Sequence, residues 1–267
     1  MKDILSVAIS AARKAGAVTL RYFETSIARE VKADKSFVTQ ADTEAEAVIL
    51  KEIKKHFPGH SILSEESGAE TRASEFEWVI DPLDGTANFI NGIPLFAVSI
   101  AALRCGIPHA AVVYQPVGDS LYAAERGKGA TWISSGRPGS ARGKGKRVRV
   151  SDGGAEHAMI SFGPGKKEKK RLNRLLSATE QFVKSKRYLG SCALELAYVA
   201  RGGTEGFICL GLNKWDYAAG VLLVEEAGGK ITDCSGKPWQ FGGNDFFVAS
   251  NGVVHDTLLR LASAAGC

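Results

Sequence analysis

Two aspartates stand three residues apart in the segment IDPLDGTANF (80–89), and a third follows far down the chain in Trp215-Asp216. Ile80 ends an apolar run and Pro82 forces a turn, so Asp81 and Asp84 share one short loop. Two carboxylates placed in this way can each hold a different divalent cation, or share one. Gly85-Thr86 follows where a helix should begin, and the free backbone N–H groups of a helix start make a seat for phosphate. Metal ligands joined directly to an anion cradle are what hydrolysis of a phosphate ester requires. Magnesium prefers oxygen ligands, and two such ions ~3.5–4 Å apart acidify a water and stabilise a departing alkoxide. His56, His60, His109, His157 and His255 fit no metal-binding spacing, which disfavours zinc.

Taken alone, DPLDG reads equally well as a tight turn carrying two solvated aspartates. The alternation of a calcium-binding EF-hand loop is absent. The metal reading gains weight from position. Asp42, Glu65-Glu66, Asp81/Asp84 and Asp216 all fall at the ends of predicted elements.

Those elements follow from the apolar pattern. Residues 4–23 carry a helical stripe, and a second helix follows Thr39, with Thr39…Asp42 and Thr43…Glu46 as acidic caps, and stops at Pro58-Gly59. A short strand over 60–64 leads into Glu65-Glu66, and a buried strand over 77–80 ends at Asp81. Residues 95–134 read as an antiparallel meander with turns at Cys105-Gly106, Val117-Gly118-Asp119 and Gly127-Lys128-Gly129. Beyond the basic segment 137–150, helices near 168–182, 191–201, 215–227 and 253–264 alternate with strands at 205–210, 230–232 and 245–249. The first half is α+β and the second α/β, giving layered helices and sheets in two interlocked subdomains, 1–150 and 151–267.

Composition is that of a soluble globular protein: 267 residues, 45% hydrophobic and 24% charged. No apolar stretch is long enough for a membrane span, and the N-terminus reads as an amphipathic helix and not a signal peptide, so the cytoplasm is expected. Five scattered cysteines without a CxxC pair argue against a disulfide framework and a structural zinc. The net charge of +5 is concentrated in 137–150 and 166–174. Both runs lack aromatic residues that stack on bases, so solvated surface is favoured over nucleic-acid binding.

Four pieces, VKADKSFVTQAD (31–42), SEES (64–67), WVIDPLDGTANFINGIPLFAVSIA (78–101) and KWDYAAGVLLVEEAGGKITD (214–233), together resemble the inositol monophosphatase superfamily. The resemblance runs in order along nearly the whole chain. It implies a layered αβαβα sandwich, two or three Mg²⁺ ions, lithium inhibition, a homodimer and a small phosphorylated substrate such as inositol 1-phosphate. It also implies roles. Glu65, Asp81 and the Leu83 carbonyl would hold one magnesium, and Asp81, Asp84 and Asp216 a second, with Glu65 helping a third. Thr86 would orient the attacking water with support from Asp42, whose plainer role is a helix cap. Gly85 and Thr86 N–H groups would grip the phosphate, and Asp84 would touch substrate. Lys32 also matches a family position.

One departure concerns the alcohol. Members acting on inositol phosphate carry a Glu seven residues before the last metal-binding Asp, and here that position is Cys209. Cys192 occupies a second aligned pocket position. Both thiols either line the substrate pocket or pack in the core. Fructose-1,6-bisphosphate, histidinol phosphate and 3′-phosphoadenosine 5′-phosphate are the alternative substrates. Lys184, Lys186, Arg187, Lys214 and the run 166–174 are candidate cations for a second phosphate. The reading from a different class is an RNA- or partner-binding protein working through 137–150.

Overall fold

The computed structural model describes residues 3–25, 29–31, 37–134, 145–165, 168–179 and 182–267. Helix α1 (Ile4–Tyr22) starts at Asp3, whose carboxylate accepts the Ser6 N–H, and buries Val7, Ala8, Ala11, Ala12 and Ala15. These small residues let α1 lie close to α2 (Gln40–His56). Between them, β1 (Arg29–Val31) and β2 (Phe37–Thr39) form a two-stranded antiparallel ribbon. Thr39 ends that ribbon and caps α2 in a capping box with Asp42, as the sequence pattern predicts.

Eight strands form the first sheet. They are β3 (Ser61–Ser64), β4 (Gly68–Glu70), β5 (Phe76–Asp84), β6 (Ala97–Arg104), β7 (Ile107–Gln115), β8 (Ser120–Glu125), β9 (Gly129–Ser134) and β10 (Lys146–Arg147), in the order β10-β9-β8-β7-β6-β5-β3-β4. The meander is present with all three expected turns, and Cys105, Gly106, Gly118, Asp119, Gly127 and Gly129 take positive φ there. Strand β5 runs past Asp81 to Asp84, and its pairing with β6 slips between those two residues. That irregularity turns the acidic loop out of the sheet. The short helix α3 (Thr86–Ile90) follows at once.

The second sheet combines β11 (Met159–Pro164), β12 (Ser185–Arg187), β13 (Gly206–Leu210), β14 (Lys230–Asp233) and β15 (Phe246–Ser250), in the order β12-β11-β13-β15-β14. Its helices are α4 (Lys169–Thr179), α5 (Cys192–Ala200), α6 (Lys214–Glu226) and α7 (His255–Ala264). Strand β11, paired in parallel with both β12 and β13, carries no alternating pattern and is not predicted from sequence.

The layers run α1/α2, first sheet, α5/α6, second sheet, α4/α7, which is the αβαβα sandwich the resemblance implies. Helices α5 and α6 are apolar nearly all round because both faces are covered, one by each sheet. They approach closely at Gly220, where an added Cβ would lie 2.5 Å from the Leu196 side chain. Among the described residues no helix is long and apolar enough to cross a membrane. One expectation needs correction: Cys234 and Cys267 are joined, with Cα atoms 5.8 Å apart, while Cys105, Cys192 and Cys209 are free. The bonded pair is separated by 33 residues and has no local spacing signal, so the pattern of cysteines along the chain is silent about it.

Candidate metal and phosphate site

The sandwich brings one end of β5 against the N-termini of α5 and α6. Asp81 and Asp84 leave the first sheet there, and Asp216 enters on the first turn of α6. Each of the three offers an oxygen within 4.8 Å of the others. This is the convergence that the spacing alone left open.

Each carboxylate is fixed by a different neutral donor. Asp81 Oδ1 accepts the Leu83 N–H at 2.9 Å, closing the turn that Pro82 begins. Asp84 Oδ2 accepts the Ser191 hydroxyl at 2.6 Å and the Ala193 N–H at 2.8 Å, so the start of α5 locks it. Asp216 Oδ2 accepts the Asn213 N–H at 2.8 Å, capping its own helix. Asp81 and Asp84 are buried, and burial is the largest cause that raises their acidities' midpoints. Asp81 is pushed well above the usual carboxylate range, with Glu65, Asp84 and Asp216 adding repulsion. Asp84 is pushed up to about 7 despite the opposing hydrogen bonds. Buried acids that repel one another call for a cation. Among the described residues lining their cavity there is no lysine or arginine. All the donor atoms are carboxylate or carbonyl oxygens, which fits a hard divalent ion such as magnesium.

Glu65 lines the same cavity of about 620 Å³, as do Leu83, Gly85 and Thr86. It is half-buried and lies outside the tight trio of aspartates, yet near enough to raise both Asp81 and Asp84. The turn that carries it is held by Glu46, which sequence reasoning used only as a helix cap. Buried Glu46 accepts the Ser64 hydroxyl, the Glu66 N–H at 3.2 Å and the Ser67 N–H at 3.1 Å.

Thr86 Oγ1 stands 3.3 Å from Asp42 Oδ1 and 3.1 Å from the Leu83 carbonyl. Asp42 also accepts the Thr39 N–H and hydroxyl through Oδ2, so it serves at once as helix cap and as partner of Thr86. Gly85 has φ 95°, and a Cβ there would lie 2.9 Å from the Leu95 carbonyl oxygen, so only glycine fits. Asn88 donates to the carbonyls of Leu95 and Leu189, both at 2.7 Å, and the bond to Leu189 ties this loop to the second half. Asn88 lies inside the motif, but a bond across 101 residues leaves no local signal.

Cys192 and Cys209 both pack in the same buried core cluster, and Cys192 also reaches a cavity wall. Cys192 lines a smaller recess of about 110 Å³ beside Asp84, Ser191, Glu195 and Asp216. Cys209 is fully buried, packs in the core and donates its thiol to the Asp245 carbonyl at 3.1 Å. Burial holds both thiols protonated. Of the proposed second-phosphate cations, Lys186 donates to the Leu176 carbonyl and Arg187 to the Lys186 carbonyl. Lys32, Lys166, Lys167 and most of the segment 137–150 lie outside the described residues.

Comparison with known proteins converges on one family. A model of the inositol monophosphatase family matches residues 1–266. An inositol-1-monophosphatase of Mesorhizobium japonicum is 41% identical over 260 residues, covering 96% of this chain and 95% of its own. The Nus factor SuhB of Escherichia coli K12 is 40% identical over 260 residues, covering 95% of this chain and 91% of its own. The solved structure of an IMPase from Thermotoga maritima matches with a TM-score of 0.88 at 33% identity, covering 99% of this chain and 98% of its own. The extragenic suppressor protein suhB of Bartonella henselae matches with a TM-score of 0.88 at 36% identity, covering 97% and 98%.

Proposed function

The chain belongs to the inositol monophosphatase family, and from that premise we propose that it hydrolyses small phosphate monoesters with magnesium, inositol 1-phosphate or a similar sugar phosphate foremost. The observation that carries this reading is the meeting of Asp81, Asp84 and Asp216 within 4.8 Å, beside Glu65 and the Gly85-Thr86 turn. Bound magnesium would supply Lewis acidity, acidifying a water and stabilising the leaving alkoxide. Glu65, Asp81, the Leu83 carbonyl, Asp84 and Asp216 are the residues that would hold it.

The chain's own groups do the rest. Gly85 and Thr86 present N–H groups to the phosphate oxygens, and the positive φ of Gly85 lets that backbone face the cavity. The Thr86 hydroxyl has one proton and two acceptors in reach, Asp42 and the Leu83 carbonyl. Donating to either, it turns an oxygen lone pair toward an incoming water and orients it for attack on phosphorus. Residues 1–150 contribute most of these groups and residues 151–267 contribute Asp216 and Ser191. The same reading carries lithium inhibition, a homodimer and a cytoplasmic location.

The test is phosphate release from inositol 1-phosphate, fructose-1,6-bisphosphate, histidinol phosphate and 3′-phosphoadenosine 5′-phosphate, each with magnesium and with chelator. Magnesium-dependent release led by inositol 1-phosphate supports the reading. No release from any of the four refutes it.

A second reading comes from the relatives named Nus factor SuhB. The exposed basic residues Lys146, Arg147 and Arg149 continue the segment 137–150 onto the described surface. An RNA or transcription-complex role predicts RNA affinity that falls steeply with salt and is lost when these residues are neutralised. Absent or salt-insensitive binding removes it.

A further inference from the structure

Six carboxylates line the main cavity, and five are accounted for. Glu65, Asp81, Asp84 and Asp216 belong to the metal site, and Glu168 is paired with Arg171 at 2.8 Å. The sixth is the carboxylate of Asp245.

Asp245 immediately precedes β15, and its carbonyl accepts the Gly211 N–H at 3.0 Å and the Cys209 thiol at 3.1 Å. Its main chain is thereby stitched to the end of β13, next to the Gly211-Leu212-Asn213 segment that leads into α6 and Asp216. The side chain is held as firmly. Asp245 Oδ1 accepts the Tyr217 hydroxyl at 2.6 Å. Tyr217 is fully buried, and its ring is wedged edge-on against Trp239, Phe241 and Phe247, with centroids 5.7, 5.7 and 5.3 Å away. Among the described residues Asp245 has this one side-chain hydrogen bond and no ion pair. A carboxylate accepts about four hydrogen bonds, so Asp245, which lines the cavity, keeps acceptor capacity beyond the one bond from Tyr217.

We propose that Asp245, held by Tyr217, is the specificity-determining residue for the alcohol part of the substrate, accepting hydrogen bonds from hydroxyls of a polyol phosphate. The inference rests on the phosphatase reading. Two features favour a hydroxyl-rich partner. The carboxylate lies outside the cluster of metal-ligating oxygens, so it is free to serve the organic moiety. It is also acceptor-only, which matches O–H donors and opposes a second phosphate in the same place. Because rigid neighbours pre-set the carboxylate, little ordering cost is incurred when a diol docks. Tyr217 acts as a positioning residue, one step removed from substrate.

The experiment compares kcat/KM for inositol 1-phosphate with kcat/KM for p-nitrophenyl phosphate, which has no aliphatic hydroxyl, in the parent, Asp245→Asn, Asp245→Ala and Tyr217→Phe. The ratio of the two should fall about ten- to a hundredfold in Asp245→Asn, the range for a lost charge-assisted hydrogen bond, mainly through KM for the inositol ester. Tyr217→Phe should shift the ratio the same way by a smaller factor. Fructose-1,6-bisphosphate should gain relative to inositol 1-phosphate in Asp245→Asn. Circular dichroism establishes folding, and the near-isosteric Asn variant carries the test if the Ala variant does not fold. A ratio within about twofold of the parent's overturns the proposal, and so does an equal loss on both substrates. A parent that cleaves p-nitrophenyl phosphate but no polyol phosphate overturns this inference while leaving the phosphatase reading intact. A parent inactive on both brings down the phosphatase reading itself, and this inference with it.

Discussion

Replacing Asp84 with Asn separates the cost of the acidic cluster from its use. Asp84 is buried and its carboxyl is pushed up from 3.8 to about 7, first by burial and also by Glu65, against the hydrogen bonds from Ser191 and Ala193. A folded-state value above the unfolded one means that the native protein holds the extra proton between 3.8 and about 7. Stability of the metal-free protein is therefore lost as pH rises through that window, and the loss is complete above it. The difference between 3.8 and about 7 corresponds to ~4 kcal/mol. Asparagine has the shape of the protonated acid. Its carbonyl oxygen can still accept from Ser191 and Ala193, and its amide then faces the remaining acids as a donor.

Metal-free Asp84→Asn should accordingly be more stable than the parent at about pH 8, by ~1–4 kcal/mol, which for a chain of this size is several degrees in Tm. The order should reverse in magnesium. The parent gains stability from the ion, whereas the variant gains less because a neutral amide is a poorer ligand. Turnover should fall by about a hundredfold or more, the order seen when one charge-stabilising group is removed from a reaction site. Thermal melts in chelator and in magnesium, beside phosphate-release assays, measure all three. A variant that melts below the parent in chelator would refute the account of burial and repulsion. One that keeps the parent's magnesium-induced shift and rate would refute the metal site.

Gly85→Ala places a Cβ 2.9 Å from the Leu95 carbonyl in a residue with φ 95°; the cost is ~1–3 kcal/mol with loss of turnover, and a denaturant midpoint equal to the parent's would contradict it. His255, fully buried between the hydroxyls of Ser250 and Thr232 at 2.8 and 2.9 Å, is pushed down to about 4 by burial and, next, by Lys230. Both ring nitrogens are satisfied in the neutral form, so the unfolded chain takes up the proton first as pH falls from 6.5 to about 4. That window costs the native state ~3 kcal/mol, and His255→Gln should flatten the stability–pH curve there. Parallel curves for parent and variant would remove His255 as the cause.

What the sequence made legible follows the range of the interactions. The helix stripes, the Thr39 cap and the turns of the meander are local, and each appears where its pattern predicts. The acidic trio stands out in the sequence because Asp81 and Asp84 share a turn and Asp216 caps its own helix, so each carries a short-range signature. Strand β11 lacked one, since a strand buried between parallel neighbours shows no alternation. Glu46, read only as a cap beside Thr43 although α2 already starts at Gln40, and Asp245, not singled out at all, show the complementary case. A lone acid in a helix or before a strand has no distinguishing neighbours, and its importance comes from backbone groups about twenty residues away or a phenol on another element. Cys209 shows the limit of positional transfer. Its alignment is with a pocket residue, but its side chain is buried and turned to the Asp245 carbonyl.

The way Asp81 and Asp84 are held bears on how they could serve a cation. The hydrogen bonds that fix Asp81 and Asp84 come from backbone N–H groups and a serine hydroxyl. Such donors orient a carboxylate without neutralising it, whereas a guanidinium or ammonium in the same place would cancel the charge. Glu168 illustrates the alternative within the same cavity, satisfied by Arg171 and so withdrawn from metal chemistry. The donors also come from both halves of the chain: Leu83 serves Asp81, α5 serves Asp84 and Asn213 serves Asp216. The site is thus complete only when the first sheet and the α5/α6 layer are docked. Magnesium, by binding that docked arrangement alone, should stabilise the whole sandwich and not one half of it.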